Sequence, residues 1–119
     1  MGMPLDVLMF LQACDQKESP ESAALYKSLM EEEFKEFIDA HWNRDEVEML
    51  DGCMDLIWVT LGFCIAKGYD ISGAWDEVVK TNMAKVDPVT RKVRRREDGK
   101  ILKPEGWKPP DMSKYLKKK

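Results

Sequence analysis

The sequence is poor in side chains that bind soft metals. It contains a single histidine, His41, and three cysteines, none of them in CxxC spacing. A structural zinc site needs four such ligands, and carboxylate-bridged di-iron proteins use Glu-x-x-His pairs. His41 is in no such motif, so the sequence argues against both kinds of site. An odd number of cysteines also indicates reduced thiols rather than a disulfide framework, and we therefore expect a cytoplasmic protein.

The sequence also lacks a long hydrophobic run. No uninterrupted stretch of about 18 apolar residues occurs, the length that a membrane-spanning helix requires. The first residues have no basic segment ahead of an apolar one, so they do not predict a signal peptide. We therefore expect no membrane partner. The composition, 44% apolar and 34% charged, suits one globular domain.

Charge is divided unevenly along the chain. Residues 1–79 contain 5 Lys and Arg against 17 Asp and Glu, a net charge of −12. Residues 80–119 contain 14 Lys and Arg against 5 Asp and Glu, a net charge of +9. A basic segment of this kind can bind nucleic acid. It can equally meet the phosphates of a small ligand or the acidic half of a neighbouring subunit.

Hydrophobic periodicity and capping residues predict four helices. We place them at about residues 4–15, 20–41, 46–67 and 71–85. Ser19 and Asp45 suit the N-cap positions of the second and third helices. Gly68 suits the C-terminal stop of the third helix, because a glycine tolerates the left-handed conformation that often ends a helix.

The pattern changes after residue 88. Asp98-Gly99 lies between two short runs of extended character and predicts the turn of a hairpin. Prolines further on exclude another long helix. The predicted organisation is a helical core at residues 1–88 and a basic C-terminal arm at residues 89–119, both within a single domain.

The four glutamates of the stretch EEEFKEF, at residues 31–37, lie on different sides of the predicted second helix. At about 100° per residue, Glu31 lies on the polar face of the second helix, whereas Glu33 falls in the middle of the apolar arc. Glu32 and Glu36 lie to one side of this arc. A buried carboxylate must be paired, protonated or bound to a cation, because its desolvation alone is costly. Glu32 suits a solvated rim position as well as a catalytic role.

The third helix carries acidic residues on one side of an otherwise apolar surface. Glu48, Asp51 and Asp55 fall within about 60° of each other, and Gly62 and Ala66 continue this side as small residues that leave space above it. A helix that is apolar all round is usually buried. Carboxylates turned inward from two helices repel each other unless cations lie between them, and oxygen ligands suit Mg²⁺ or Mn²⁺. For Glu48, a capping role competes with metal binding.

These residues, in this order, resemble the MazG-like all-α nucleoside triphosphate pyrophosphohydrolases, a superfamily that includes phosphoribosyl-ATP pyrophosphohydrolase. The family motif is EExxE on one helix and ExxD on the next. EEFKE at residues 32–36 matches its first half. Glu48 and Asp51 match the second half literally. The similarity of DLIWVTLG to the stretch that follows the family's last aspartate favours Asp51 together with Asp55 instead.

The resemblance covers about residues 5–111. KTNMAK (80–85) is similar to the polar sequence after the family's last core helix, and REDGKILKPEGWKPPD (96–111) is similar to the C-terminal arm of its phage-type members. The resemblance implies an all-α bundle of four to five helices with an extended basic arm. It also implies a homodimer or homotetramer, in which the partner would cover the apolar third helix.

The activity that the resemblance implies is hydrolysis of a nucleoside triphosphate between its α- and β-phosphates, with two or three Mg²⁺ or Mn²⁺ ions per site. Glu32 or Glu33 would orient and deprotonate the attacking water. The implied metal ligands are Glu33, Glu36, Glu48, Asp51 and Asp55. The implied phosphate-binding residues are Asn82, Lys85, Arg95, Arg96, Lys100 and Lys103, with Arg94 as a further candidate.

The base would lie in a pocket formed partly by the first helix. Candidate base-binding residues are Phe10, Gln12, Asp15 and Gln16, and further stacking candidates are Trp42, Trp58 and Trp107. A carboxylate such as that of Asp15 can accept paired N–H donors of a guanine edge, which favours a purine deoxynucleotide such as dGTP. The alternative function is a helical interaction or nucleic-acid-binding module that uses the basic tail, although no helix-turn-helix pattern supports it.

Overall fold

The protein is all-helical, as predicted. The computed structural model describes residues 2–16 and 18–117. Its helices are α1 (Met3–Ala13), α2 (Pro20–Trp42), α3 (Glu46–Ala66) and α4 (Ile71–Met83), followed by a short 3₁₀ helix at Ser113–Tyr115. The four predicted helices are therefore confirmed to within a few residues at each end, and the described residues contain no β-strand beyond isolated bridges.

Local capping signals explain the helix boundaries. The Ser19 hydroxyl accepts a hydrogen bond from the Ser22 backbone N–H at 3.0 Å, and Pro20 begins α2. The Asp45 carboxylate likewise accepts from the Glu48 backbone N–H at 3.2 Å. Gly68, with φ of +74°, ends α3 in the left-handed conformation. Residues next to the ends of α2 and α3 therefore determine where these helices begin and where α3 ends.

Contacts divide the described chain into two units. The first contains the residues up to Ile71 and the end of the chain from Leu116, and the second is Ser72–Tyr115. The predicted boundary lay after residue 88, whereas the structural division precedes α4. The reason is that α4 is bound to the later segment: the Trp107 indole N–H donates to the Thr81 carbonyl at 2.8 Å. The prediction of one catalytic core with one arm stays a prediction.

The first unit is organised by a close approach between α2 and α3. Its buried core consists of Val7 and Leu11 from α1, Tyr26 from α2 and Val59 from α3. A Cβ atom built at Gly62 would lie 2.5 Å from Cε1 of Tyr26. The ring therefore occupies the place of a side chain, and the expectation that the small residues of α3 leave empty space is wrong at Gly62.

The ring of Tyr26 is fixed at its other end. Its hydroxyl donates to Oε1 of Gln16 at 2.7 Å, and only 4% of the residue is exposed. A second close approach occurs at Gly52, where a Cβ would lie 3.3 Å from Cα of Phe37. The two glycines thus set the separation of α2 and α3 at two heights of the helix pair.

The outer side of α3 is exposed in the single chain. Val47 is 76% exposed and Leu50 is 64% exposed, and Met54 and Ile57 are also exposed. A contiguous apolar surface of this kind is unusual on a protein that stays monomeric. Within one chain, α3 is therefore not buried on all sides, contrary to the expectation for a helix that is apolar all round. That a partner subunit covers its exposed side stays a prediction.

By length and composition alone, α3 could cross a membrane. Its most apolar 18-residue window has a mean hydropathy of 1.6, and 22% of that window is buried within the chain. The sequence predicted no membrane-spanning helix here, because Asp51 and Asp55 interrupt the apolar run of α3. The core helix of a globular protein meets the same criteria, and the close packing of Gly52 and Gly62 on α2 is of that kind.

The second unit contains α4, a hairpin and an extended segment. Arg96 N–H donates to the Lys100 carbonyl at 2.8 Å, and Gly99 N–H donates back to the Arg96 carbonyl at 2.9 Å. Gly99 has φ of +89°, as the last position of a three-residue hairpin loop requires. The hairpin predicted at Asp98-Gly99 is therefore confirmed, and the Asp111 N–H donates to the Glu77 carboxylate at 3.2 Å to hold the extended segment on α4.

Replacing Gly62 tests the close approach of α2 and α3. Gly62→Ala should lower the free energy of unfolding by about 1–3 kcal/mol, because the pinned ring of Tyr26 has little freedom to move away. Gly52→Ala is the comparison, because alanine gains the same helix propensity at both positions, about 1 kcal/mol, while a Cβ at Gly52 would lie 3.3 Å rather than 2.5 Å from its nearest neighbour. Urea unfolding followed by circular dichroism measures both. A Gly62→Ala variant at least as stable as Gly52→Ala would contradict this packing.

Candidate functional site

Four acidic residues of the first unit act on each other electrostatically. They form the carboxylate cluster: Glu33 and Glu36 from α2, and Asp51 and Asp55 from α3. The pKa of Glu33 is raised from 4.5 to about 6, chiefly by burial, then by a hydrogen bond with Glu36 and by the negative charges of Glu36, Asp55 and Asp51. Glu33 and Asp55 are partly buried, whereas Glu36 and Asp51 are exposed, so the predicted inward direction holds for Glu33 and Asp55 and not for the other two.

Asp55 responds to the same surroundings. Its pKa is raised above the ordinary value, first by burial and then by the charges of Asp51 and Glu36 and a hydrogen bond with Asp51. Asp51 and Asp55 are one turn apart on α3, where like charges repel. Burial and repulsion both disfavour the charged form, so the cluster holds a proton more tightly than isolated carboxylates would.

One oxygen of the cluster has no partner. Oε2 of Glu33 is buried, and it is the one buried side-chain nitrogen or oxygen among the described residues that lacks a hydrogen bond. A buried acceptor without a donor costs free energy unless a proton or a cation meets it. All four side chains offer oxygen, the ligand that Mg²⁺ and Mn²⁺ prefer.

The carboxylate cluster suits a hard divalent cation, because all its ligand atoms are oxygens and one of them, Oε2 of Glu33, has no hydrogen-bond partner. Within residues 2–16 and 18–117, no three His, Cys, Asp or Glu side chains already form a complete coordinating group. The raised pKa values nevertheless show that the four carboxylates are close enough to repel each other. A cation would therefore draw together groups that the fold has already placed on facing helices.

Glu48 and Glu32 do not belong to the carboxylate cluster. Both are exposed, and neither contributes to the raised pKa of Glu33 or of Asp55. Glu48 stands seven residues before Asp55, about 10 Å along the helix axis at 1.5 Å per residue. Its backbone N–H is the one capped by the Asp45 side chain. The structure thus groups Asp51 with Asp55, while the roles expected of Glu32 and Glu48 stay predictions.

The residues expected to bind the base lie on α1 and the turn after it. Phe10 meets Trp58 of α3 edge to face, with ring centroids 5.5 Å apart, and both rings are partly exposed, at 50% and 38%. Gln12 and Asp15 are exposed, and Asp15 has φ of +56°. Oε1 of Gln16 already accepts the hydrogen bond of the Tyr26 hydroxyl, so its amide NH₂ is the group left for a ligand.

The residues expected to bind phosphates all lie in the second unit. Asn82, near the end of α4, donates to the Val78 carbonyl at 3.1 Å and accepts from the Lys85 ammonium at 3.1 Å. Lys85 also lies over the Trp107 ring, 5.0 Å from its centroid. Asn82 and Lys85 are therefore adjacent, as expected of one binding group, and both are held by the protein itself.

The remaining basic candidates differ in their surroundings. Arg96 forms an ion pair with Asp98 at 2.6 Å across the hairpin turn, so part of its charge is already compensated. Arg95 and Lys100 are exposed on the same hairpin. Lys103 lies on Trp107, with its ammonium 4.7 Å from the ring centroid. Sequence reasoning could not connect Trp107 with the two lysines, because the three residues are separated by up to 22 positions in the chain.

The fold and the carboxylate cluster together define the class of protein. An all-helical chain with carboxylates facing each other from two neighbouring helices is the arrangement of the MazG-like all-α nucleotide pyrophosphohydrolases. The family model described as phosphoribosyl-ATP pyrophosphohydrolase matches residues 9–82, more than half of the chain, and the chain belongs to this family. No curated protein gives a significant match. The protein is accordingly a nucleotide pyrophosphohydrolase, a hydrolase that acts on phosphoric anhydride bonds.

The raised pKa of Glu33 predicts how stability depends on pH. Glu33 binds its proton more tightly in the folded chain than in the unfolded chain, so without metal the free energy of unfolding should fall as the pH rises from 4.5 to about 6. Glu33→Gln should remove much of this fall. Glu31→Gln is the control, because Glu31 is exposed and paired with Lys27. Thermal unfolding in EDTA at pH 5 and pH 7 measures the difference, and identical pH dependence in the two variants would contradict the raised pKa.

Proposed function

We propose that the protein is a metal-dependent pyrophosphohydrolase that cleaves a nucleoside or deoxynucleoside triphosphate between the α- and β-phosphates. The products would be the monophosphate and pyrophosphate. The observation that carries the proposal is the carboxylate cluster with the orphaned, buried oxygen of Glu33. Such a site repels a free triphosphate and accepts one only together with divalent cations, so the same ions would neutralise both site and substrate.

The metal ligands that we propose are the four members of the carboxylate cluster, with Glu48 as a further ligand that depends on rearrangement of the first turn of α3. When bound, Mg²⁺ or Mn²⁺, in two or three ions per site, would supply charge neutralisation for the phosphate oxygens. The fold contributes by placing the four carboxylates on the neighbouring helices α2 and α3, so that bound ions would need to draw together only the side chains.

A carboxylate would take the proton from the attacking water. Without metal the pKa of Glu33 is raised to about 6, nearer to neutral pH than that of an ordinary glutamate, which makes Glu33 the first candidate for the general base. Glu32 is the second candidate, since it is exposed beside the cluster in sequence and is not engaged in it. As the water oxygen bonds to phosphorus, the bridging phosphorus–oxygen bond breaks, pyrophosphate leaves, and the proton passes to the carboxylate.

The β- and γ-phosphates would be held by basic side chains of the second unit. We propose Asn82 and Lys85 first, because they are linked to each other at the end of α4. An ammonium beside an amide offers several N–H donors to a phosphate oxygen. The further candidates are Arg95, Arg96, Lys100 and Lys103.

The base would stack on the aromatic pair of Phe10 and Trp58. This pair is partly exposed, so a flat ring can lie against it without displacing the core. Asp15 and Gln12 are exposed nearby in sequence, and a carboxylate at Asp15 would accept the paired N–H groups of guanine. We therefore propose a purine deoxynucleotide, dGTP, as the substrate to test first.

The proposal is tested with a screen of all NTPs and dNTPs in Mg²⁺ and in Mn²⁺, in which pyrophosphate and orthophosphate are quantified separately. We expect pyrophosphate, and no turnover in EDTA. Asp55→Asn should lower kcat by at least about 100-fold, because it removes one charge from the cluster while keeping its shape. Asp39→Asn on the exposed side of α2 is the matched control and should keep its activity. Full activity in Asp55→Asn, or orthophosphate as the first product, would contradict the proposal.

We also propose that the protein works as a homodimer or homotetramer in the cytoplasm. The exposed apolar side of α3, on which Val47 and Leu50 are the most exposed residues, would be covered by a second copy. Light scattering on the full chain should give the mass of two or four copies, and Leu50→Asp should shift that mass toward the monomer. A wild-type monomer at micromolar concentration would contradict this proposal.

A further inference from the structure

The hydroxyl of Tyr26 is a polar group inside the core of the first unit. The residue is 4% exposed, and its ring lies so close to α3 that a Cβ at Gly62 would be 2.5 Å from Cε1. The hydroxyl oxygen lies 2.7 Å from Oε1 of Gln16. A buried O–H group has to donate its hydrogen, because no water replaces a missing acceptor in the core. Gln16 supplies that acceptor.

This hydrogen bond fixes which end of the Gln16 amide faces the core. An amide has an accepting oxygen and a donating NH₂, and its orientation follows from the groups around it. If the NH₂ faced Tyr26, the hydroxyl hydrogen would have no acceptor. The oxygen end therefore faces Tyr26 and the NH₂ is turned away from it. Within residues 2–16 and 18–117, no side chain or carbonyl accepts a hydrogen bond from this NH₂.

The backbone of Gln16 is fixed as well as its side chain. The Gln16 N–H donates to the Leu11 carbonyl at 3.0 Å, and Leu11 is itself only 2% exposed. Asp15 has φ of +56°, and this left-handed residue turns the chain back over the end of α1. An amide held at both ends loses little further freedom when it binds a ligand, so its donors are preorganised.

The amide lies near the aromatic pair of Phe10 and Trp58. Trp58 and Gly62 are four residues apart on α3, so they share one face of the helix and are separated by about 6 Å along its axis. Phe10 packs on Trp58, and Tyr26 packs beside Gly62. The stacking surface and the hydrogen bond from Tyr26 to Gln16 therefore lie about one helical turn apart on the same face.

We propose that Tyr26 makes the protein selective for bases that carry a carbonyl oxygen, because it holds Gln16 as a hydrogen-bond donor. Guanine has an oxygen at C6 and thymine has one at C4, where adenine and cytosine have an amino group. The outward NH₂ donates to such an oxygen, whereas against an amino group it leaves donor facing donor. Tyr26 is a positioning residue, since it acts through Gln16. The presence of a nucleotide base rests on the proposed function, and the hydrogen bond to Tyr26 names the class of base.

Selectivity is tested by binding to the full chain, without turnover. The probes are the α,β-imido deoxynucleoside triphosphates of guanine, adenine, thymine and cytosine, titrated in Mg²⁺ by isothermal titration calorimetry. Guanine is compared with adenine, and thymine with cytosine, so the ring size is matched in each pair. Tyr26→Phe removes the hydroxyl and keeps the ring, and Gln16→Glu replaces the NH₂ with an oxygen. Tyr115→Phe, in the 3₁₀ helix of the second unit, is the matched control.

The wild type and Tyr115→Phe should bind the carbonyl-bearing base at least about tenfold more tightly in each pair. In Tyr26→Phe the amide can turn round, so this ratio should fall below about threefold. Gln16→Glu should reverse the preference, because one carboxylate oxygen accepts from Tyr26 and the other accepts from an amino group. This variant keeps the buried hydroxyl bonded, so it decides the matter even where Tyr26→Phe is too unstable to measure.

Equal weakening of all four probes in Tyr26→Phe, or no reversal in Gln16→Glu, would show a purely structural hydrogen bond and overturn the inference. A wild type without the preference would overturn it as well. Hydrolysis of all four dNTPs at similar rates would contradict the selectivity and leave the proposed reaction standing. The preference in binding without any release of pyrophosphate would contradict the reaction alone.

Discussion

The repulsion among the carboxylates between α2 and α3 is the constraint on which the rest of the structure depends. Close packing at Gly52 and Gly62 leaves little room for the helices to separate, so the acidic side chains of the cluster cannot easily move apart. The raised pKa values of Glu33 and Asp55 reflect this repulsion together with burial. A protein under stability selection alone would replace such residues, because apolar groups of similar volume stabilise as well or better. Their presence in this pair of helices fits the proposal that they bind divalent cations.

Positive charge, by contrast, is concentrated in the second unit. Lys85 and Lys103 make cation–π contacts with Trp107, Arg96 pairs with Asp98, and the charge of Arg94 helps to lower the pKa of Asp87. An ammonium on an indole keeps its charge available, whereas an ammonium paired with a carboxylate does not. The first unit therefore presents carboxylates, and the second unit presents positively charged groups.

Much of the fold was predictable because its signals are local. The N-caps at Ser19 and Asp45, the stop at Gly68 and the turn at Gly99 each depend on residues within a few positions. The inward direction of Glu33 followed from helical periodicity for the same reason. These features need no knowledge of what packs against them.

The rest depends on contacts between distant residues. The ring of Tyr26 occupies the space beside Gly62, and no property of either residue alone indicates it. The grouping of α4 with the later segment depends on the hydrogen bond from Trp107 to Thr81. The grouping of Asp51 with Asp55, which the family resemblance favoured over Glu48, agrees with the electrostatic effect of Asp51 on the pKa of Asp55.

The most direct test of the account is a crystal structure of the protein grown with millimolar Mn²⁺, with anomalous scattering used to locate the ions. Anomalous peaks are expected within bonding distance of carboxylate oxygens from both α2 and α3, with Oε2 of Glu33 among the ligands. Side chains of the cluster turned apart into solvent, with no Mn²⁺ between the two helices, would contradict it.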